Sequence, residues 1–205
     1  VLRHWDLPKP EIISDVAPGQ ACVIVDTNNP AELPPSINAA HVTAIIDHHL
    51  LAGGLKTASP IDITIRPLAC TATILHDLMG ADAAKAPKAI KGAMLSCILS
   101  DTLEFRSPTT TAHDRAVAEA LAADLGVDIP AFAAQLFEAK SDVSAFSEAA
   151  LLRMDSKEYE VAGHPLRVSV LETTAPKVVL DRKAALMAAM PAVAAEDGAE
   201  HVLLF

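Results

Sequence analysis

The sequence predicts an α/β protein with a parallel sheet, and three junctions between apolar and polar residues predict it. Cys22-Val23-Ile24-Val25 is a short apolar run that stops on Asp26. Val42-Thr43-Ala44-Ile45-Ile46 stops on Asp47-His48-His49, and the buried-type run 92–99 stops on Ser100-Asp101-Thr102. Short apolar runs closed by turn residues read as buried strands or helices. In open α/β sheets ligands sit beyond the carboxyl ends of the strands, where loops converge on a rigid frame.

The elements follow in alternation. After the Pro8-Lys9-Pro10 entry, a strand is expected near 21–26, closed by the turn-like Thr27-Asn28-Asn29-Pro30. A second strand is expected near 42–47 and a third over Ile61-Asp62-Ile63-Thr64-Ile65. A helix opened by Thr71 or Thr73 runs to about Met79. Helices over 86–100 and 111–125 show apolar residues at helical spacing, with Ala-rich faces suited to close packing on a sheet. The pattern loosens over 138–148 into a Ser/Asp-containing stretch, the candidate domain boundary. A smaller α/β segment follows, with a strand near 166–172, an Ala-rich helix whose cap and first-turn charges are Asp181-Arg182-Lys183, and a strand at His201-Val202-Leu203-Leu204-Phe205.

Each junction carries a side chain able to bind a metal or move a proton. Taken singly, an aspartate at the end of a strand reads as an N-cap or turn residue that accepts a backbone N–H. Taken together with two adjacent histidines, Asp26, Asp47 and Asp101 point to a site. Adjacent imidazoles leave the backbone in different directions, so one can hold a metal while the other reaches a substrate.

The order Val25-Asp26, Ile46-Asp47-His48-His49, Cys70-Thr71-Ala72-Thr73 and Ser100-Asp101-Thr102-Leu103, with Phe105-Arg106-Ser107-Pro108-Thr109, resembles the DHH phosphoesterase superfamily. Within it the chain is most similar to the manganese-dependent (family II) inorganic pyrophosphatases, and the resemblance runs over nearly the whole chain. It implies a parallel-sheet DHH domain with flanking helices over 1–139, followed by a linker and the start of a smaller DHHA2-like α/β domain over 140–205. It implies metal ligation by Asp26, His48 and Asp101, the two aspartates bridging two ions. His49 then faces the substrate, and Asp47 accepts an imidazole N–H and fixes its tautomer. Lys140 falls where the family has a lysine that grips a phosphate. The activity implied is hydrolysis of pyrophosphate to two phosphates with two Mn²⁺ ions, Co²⁺ or Mg²⁺ being alternatives. Carboxylates bridge such ions well, and a nitrogen ligand in an oxygen set favours manganese or cobalt over magnesium.

Three departures from the family pattern bear on this reading. The chain starts at Val1, downstream of the family's opening His-x-x-Pro-Asp-x-Asp strand, and His4 and Asp6 read as surface residues rather than substitutes. The family's closing Ser-Arg-Lys signature is expected past Phe205, so the chain is expected to be a piece of a longer product. Where the family commonly has Asp-His-Asn-Glu, this chain has Asp26-Thr27-Asn28-Asn29. The bridging carboxylate is kept while a histidine and an acid around it are lost. Two alternative readings follow, a DHH phosphodiesterase acting on a small or cyclic nucleotide, and a noncatalytic binding module if the product begins at Val1.

Composition narrows the class. With 16 Lys+Arg against 26 Asp+Glu and a formal net charge of −10, the chain offers little electrostatic footprint for a polyanion, which argues against nucleic acid as a partner. There is no apolar run of about 18 residues, so no transmembrane helix is expected, and no charged-then-apolar leader is evident; a cytoplasmic location is the default. Cys22, Cys70 and Cys97 form neither a metal knuckle nor an even disulfide set and are expected to pack in the core. His41, His76, His113, His164 and His201 read as isolated histidines. A homodimer is left open.

Overall fold

The computed structural model describes residues 1–171, 173 and 176–205, and the chain divides into two compact units, Val1–Ala133 and Ala134–Phe205. The division falls inside a helix, whereas the sequence reading sets it after Ala139.

In the first unit, β1 (Ala21–Val25), β2 (His41–Asp47) and β3 (Asp62–Ile65) form a parallel sheet in that order. Val16, Ile24, Ile37, Ala40, Val42 and Ile45 make one buried cluster of this unit. Val42 and Ile45, three positions apart, both reach this cluster because the register of β1 and β2 shifts between them, Cys22 pairing with Val42 but Val23 with Ala44.

Helix α1 (Thr71–Met79) packs on β2, and α2 (Lys88–Asp101) and α3 (Ala112–Leu125) pack with it and with each other. Ile74, Leu95, Ile98 and Leu99 are 0% exposed in this layer, each contributing roughly 1.5–3 kcal/mol through burial. The cap of α1 is Cys70, whose Sγ accepts from the N–H of Ala72 at 3.4 Å. Helix α3 opens on a capping box between Thr111 and Asp114 and closes on Gly126 at φ 68°, where the Val127 N–H reaches the Ala122 carbonyl at 2.9 Å.

Asp114 does more than cap. It is 0% exposed, and besides Thr111 its carboxylate accepts from the Ala69 N–H at 3.0 Å and the Thr73 hydroxyl at 2.7 Å. Burial alone pushes this carboxyl up; the hydrogen bonds outweigh it and hold the group below the usual carboxylate range.

Gly92 on α2 has a physical reason. Trp5 lies against it so closely that a Cβ there would sit 2.2 Å from the indole Cδ2. The indole N–H donates to Ser96 Oγ at 3.0 Å and its ring meets Phe132 edge-on. His4, exposed as expected, also stacks near Trp5 and Phe132.

Helix α4 (Ile129–Lys140) then extends through the start of the stretch expected to loosen. In the second unit α5 (Glu148–Met154) is capped by Ser147, and β4 (Ser156–Val161) and β5 (His164–Ser169) form an antiparallel hairpin. The turn is Ala162-Gly163, with φ 53° and 84°, the mirror-image geometry that suits hairpin twist. A short helix α6 (Pro176–Leu180), the Ala-rich α7 (Lys183–Glu196) and β6 (His201–Leu204), parallel to β5, complete the unit. Val143, Leu151, Leu152, Leu186 and Val193 are its buried cluster.

Two expectations for this unit are corrected. Helix α7 takes Arg182 as its N-cap without a side-chain bond, while Asp181 is drawn to Lys177 at 2.7 Å and does not cap. The strand near 166–172 ends at Ser169, and Glu172 lies outside the described residues. Among the described residues no single helix is long and apolar enough to cross a membrane.

Candidate metal centre

Asp26 follows the last residue of β1, and Asp47 closes β2 with His48 and His49 immediately beyond. Parallel pairing sets these two strand ends side by side, the Asp26 N–H bonding the Ile46 carbonyl at 2.9 Å. Asp26 adopts φ 68°, a left-handed conformation that Asp tolerates better than most residues and that turns the chain sharply out of the sheet.

The ring nitrogens of His48 have separate tasks. Nδ1 lies 3.0 Å from the Leu68 carbonyl. A carbonyl can only accept, so in the neutral ring the proton is on Nδ1 and Nε2 presents a lone pair. That lone pair faces Asp26 Oδ1 at 3.7 Å. His49 repeats the arrangement, its Nδ1 lying 2.8 Å from Asp47 Oδ1, which leaves Nε2 as its free nitrogen. Asp26, His48 and His49 each offer a ligand atom within 4.8 Å of the others.

Asp47 is fully buried, with 0% exposure. Its Oδ1 accepts from the backbone N–H groups of His48 and His49 at 2.7 and 3.1 Å and from the His49 ring. Its Oδ2 accepts from Asn28 Nδ2 at 2.6 Å. Burial is the largest influence and pushes the carboxyl up, but these bonds together hold it below its usual range. The bond to Asp47 in turn raises the His49 imidazole above its ordinary value; partial burial opposes this, and the charges of Asp47, Asp26 and Glu32 add to it.

Asn28 was read from the sequence as part of a turn, yet only 3% of it is exposed. The Asp-x-Asn order after β1 is the one sequence signal that marks it. Its neighbours Thr27 and Asn29 turn to Glu32. The Thr27 hydroxyl donates to Glu32 Oε2 at 2.6 Å and Asn29 Nδ2 to Oε1 at 3.3 Å. An acid is therefore present beside the site from position 32.

Asp101, the last residue of α2, is exposed and lies outside the 4.8 Å group. Cys70 hydrogen-bonds to it; burial first, then this carboxylate, pushes the Cys70 thiol far up. Cys97 is exposed, which corrects the expectation that all three cysteines pack in the core. It faces outward one helical turn before Asp101, its thiol raised by partial desolvation and then by the charges of Asp101 and Asp26. Both carboxylates thus act on one thiol.

Beyond Asp101 the chain passes through Leu103, Glu104 and Phe105 at φ 49°, 54° and 67°. Thr102 pins this left-handed run: its hydroxyl donates to the Ile98 carbonyl at 2.6 Å, and its own carbonyl accepts from the Ser107 N–H at 2.8 Å. Arg115 covers the Phe105 ring at 4.1 Å. Lys140, the end of α4, is exposed and belongs to the second unit.

The donor set fits a divalent cation. Asp26 Oδ1 and His48 Nε2 are both acceptors when the imidazole is neutral, and a shared cation resolves their confrontation. Mixed carboxylate and imidazole ligation accommodates manganese, as it does other first-row divalent ions.

Family models agree with this division. The model described as "DHH family, N-terminal domain" matches residues 1–101, and "DHHA2 domain" matches residues 134–205. A Deinococcus radiodurans protein named "Probable manganese-dependent inorganic pyrophosphatase" is 41% identical over 211 residues, covering 100% of this chain and 66% of that protein. A Bacillus licheniformis protein of the same name is 32% identical over 198 residues, covering 96% of this chain and 64% of its own length. The crystal structure of a Methanococcus jannaschii protein assigned to the family II inorganic pyrophosphatases matches with a TM-score of 0.75 at 28% identity, over 99% of this chain and 68% of that one. The chain thus spans about two thirds of the length of these relatives.

Proposed function

The chain belongs to the DHH family, and from that premise we propose that it is part of a manganese-dependent inorganic pyrophosphatase hydrolysing pyrophosphate to two phosphates. The observation that carries the reading is the pair of facing acceptors, Asp26 Oδ1 and His48 Nε2 at 3.7 Å, with the imidazole proton committed to the opposite nitrogen. Two strand ends have been built to leave a place for positive charge.

Asp26 and His48 would hold the metal, with Asp101 as a further ligand. Bound divalent ions supply electrostatic stabilisation of charge on the phosphate oxygens and lower the pKa of water, the two contributions phosphoryl transfer to water needs most. The protein's own groups orient and neutralise. Asp47 holds the His49 ring with Nε2 free to face a phosphate oxygen, and its charge favours the protonated ring, which offers a donor and a positive charge there. Lys140 keeps, within this proposal, the phosphate-gripping role implied by its place in the motif order.

The substrate is then a small diphosphate rather than a polyanion, in keeping with the formal net charge of −10. A cytoplasmic location without nucleic-acid or membrane partners completes the reading.

The test is phosphate release from pyrophosphate by the full-length gene product with Mn²⁺ supplied, alongside a cyclic or linear phosphodiester. Turnover of pyrophosphate that disappears in Asp26→Ala supports the proposal. Cleavage of the phosphodiester with no action on pyrophosphate would sink it, and metal binding without turnover of either would leave a binding module.

A further inference from the structure

We propose that Asn28 is a positioning residue for the metal centre, fixing the tautomer and aim of His49 through Asp47. The inference rests on the pyrophosphatase reading for its meaning in catalysis but on the metal-free geometry for its substance.

An asparagine amide has two N–H donors and one carbonyl oxygen, and in Asn28 all of them are used. Nδ2 donates to Asp47 Oδ2 at 2.6 Å and to the Leu50 carbonyl at 3.1 Å, and Oδ1 accepts from the Ala52 N–H at 2.7 Å. One side chain at the exit of β1 therefore grips the strand-end acid of β2 and the loop that follows the histidines. At 3% exposure it does so nearly out of reach of water.

The division of labour on Asp47 makes this grip consequential. The Oδ1 oxygen serves both histidine backbone N–H groups and the His49 ring. The Oδ2 oxygen has Asn28 as its described partner. Because Asp47 is 0% exposed, removing Asn28 leaves a buried carboxylate oxygen without a donor, and such an oxygen is costly to leave unpaired. The nearest remedy is rotation of the carboxylate, which draws it off the His49 Nδ1–H. The His49 ring is exposed on its other side, so nothing else described holds its proton on Nδ1.

His48 provides an internal control. Its Nδ1–H goes to the Leu68 carbonyl, a bond that owes nothing to Asn28. A loop that merely loosened or unfolded would disturb both rings, whereas loss of positioning disturbs only His49.

The experiment is ¹⁵N NMR of the histidine rings in metal-free protein, at a pH well above the imidazole range, for wild type, Asn28→Ala and Asn28→Asp. The aspartate variant keeps the acceptor toward the Ala52 N–H and removes the Nδ2 donor toward Asp47 and the Leu50 carbonyl, so one of the two loop bonds survives while the hold on the acid is lost. A thermal melt by circular dichroism accompanies each variant to establish folding. The expected result is a single Nδ1–H tautomer for both rings in wild type. In both variants His49 becomes a mixture while His48 is unchanged.

Retention of the single His49 tautomer in a folded Asn28→Asp would overturn the proposal and leave Asn28 as a loop anchor. Equal disturbance of His48 and His49 would do the same. Wild-type protein that releases no phosphate from pyrophosphate, while its His49 tautomer still depends on Asn28, would remove the pyrophosphatase reading and leave this inference standing.

Discussion

Asp114 on α3 reaches the hydroxyl of Thr73 on α1 at 2.7 Å, and the same carboxylate holds the Ala69 N–H just before α1 begins. The segment bearing Leu68, whose carbonyl fixes His48, is thereby tied to a second helix. Replacing Asp114 by Ala leaves buried donors unpaired, so a loss of about 3 kcal/mol is expected in urea unfolding.

The same group sets an acid limb. Its folded pKa lies below the unfolded value, so its contribution is fully present above the unfolded carboxylate range, near pH 4, and is lost as pH falls through the depressed folded value. Comparison of wild type with Asp114→Asn by urea unfolding between about pH 6 and pH 3 should show their difference shrinking toward the acid end. A constant difference would refute the linkage.

Gly92→Ala tests the approach of Trp5 to α2. In an open helix this change would stabilise by about 1 kcal/mol. Here the added methyl meets a rigid indole at 2.2 Å, and overpacking of this kind costs about 1–3 kcal/mol. The chain has one Trp, so its fluorescence reports displacement directly, with a red shift expected.

Metal supplied to the protein should stabilise the DHH domain. At about 100 times its dissociation constant, Mn²⁺ adds about 2.7 kcal/mol by mass action, read as an upward shift in melting temperature that EDTA reverses. Asp26→Ala, which removes one of the two facing acceptors, should melt at the same temperature with or without the metal.

Thiol labelling should distinguish the cysteines. Cys97 is exposed but raised by desolvation and by Asp101 and Asp26, so alkylation of the folded protein should begin there and only slowly at neutral pH. Cys70, buried and hydrogen-bonded to Asp101, should stay unlabelled until the chain unfolds. Mass mapping of early labelled peptides decides between them.

What the sequence made legible was the set of places where an apolar run meets an acid. Asp26, Asp47 and Asp101 stand at the ends of β1, β2 and α2 because local pattern alone determines where those elements stop. The role of Asn28 was hidden, since its partner Asp47 lies 19 positions away and Thr27-Asn28-Asn29-Pro30 satisfies every local rule for a turn. Strand β4 was missed for a related reason. Ser-Lys-Glu-Tyr-Glu-Val is exposed along nearly its whole length and becomes a strand through pairing with β5. Cys70 gave no warning of capping, because a thiol is a weak acceptor that serves only where a helix happens to open beside it.

The left-handed backbone of Asp26 sets chemistry against conformation at a single position. Glycine adopts φ 68° without steric cost, so Asp26→Gly would relax the chain by about 1 kcal/mol while removing the carboxylate. A library selected for heat resistance alone should therefore enrich glycine there, and one selected for metal-dependent turnover should purge it.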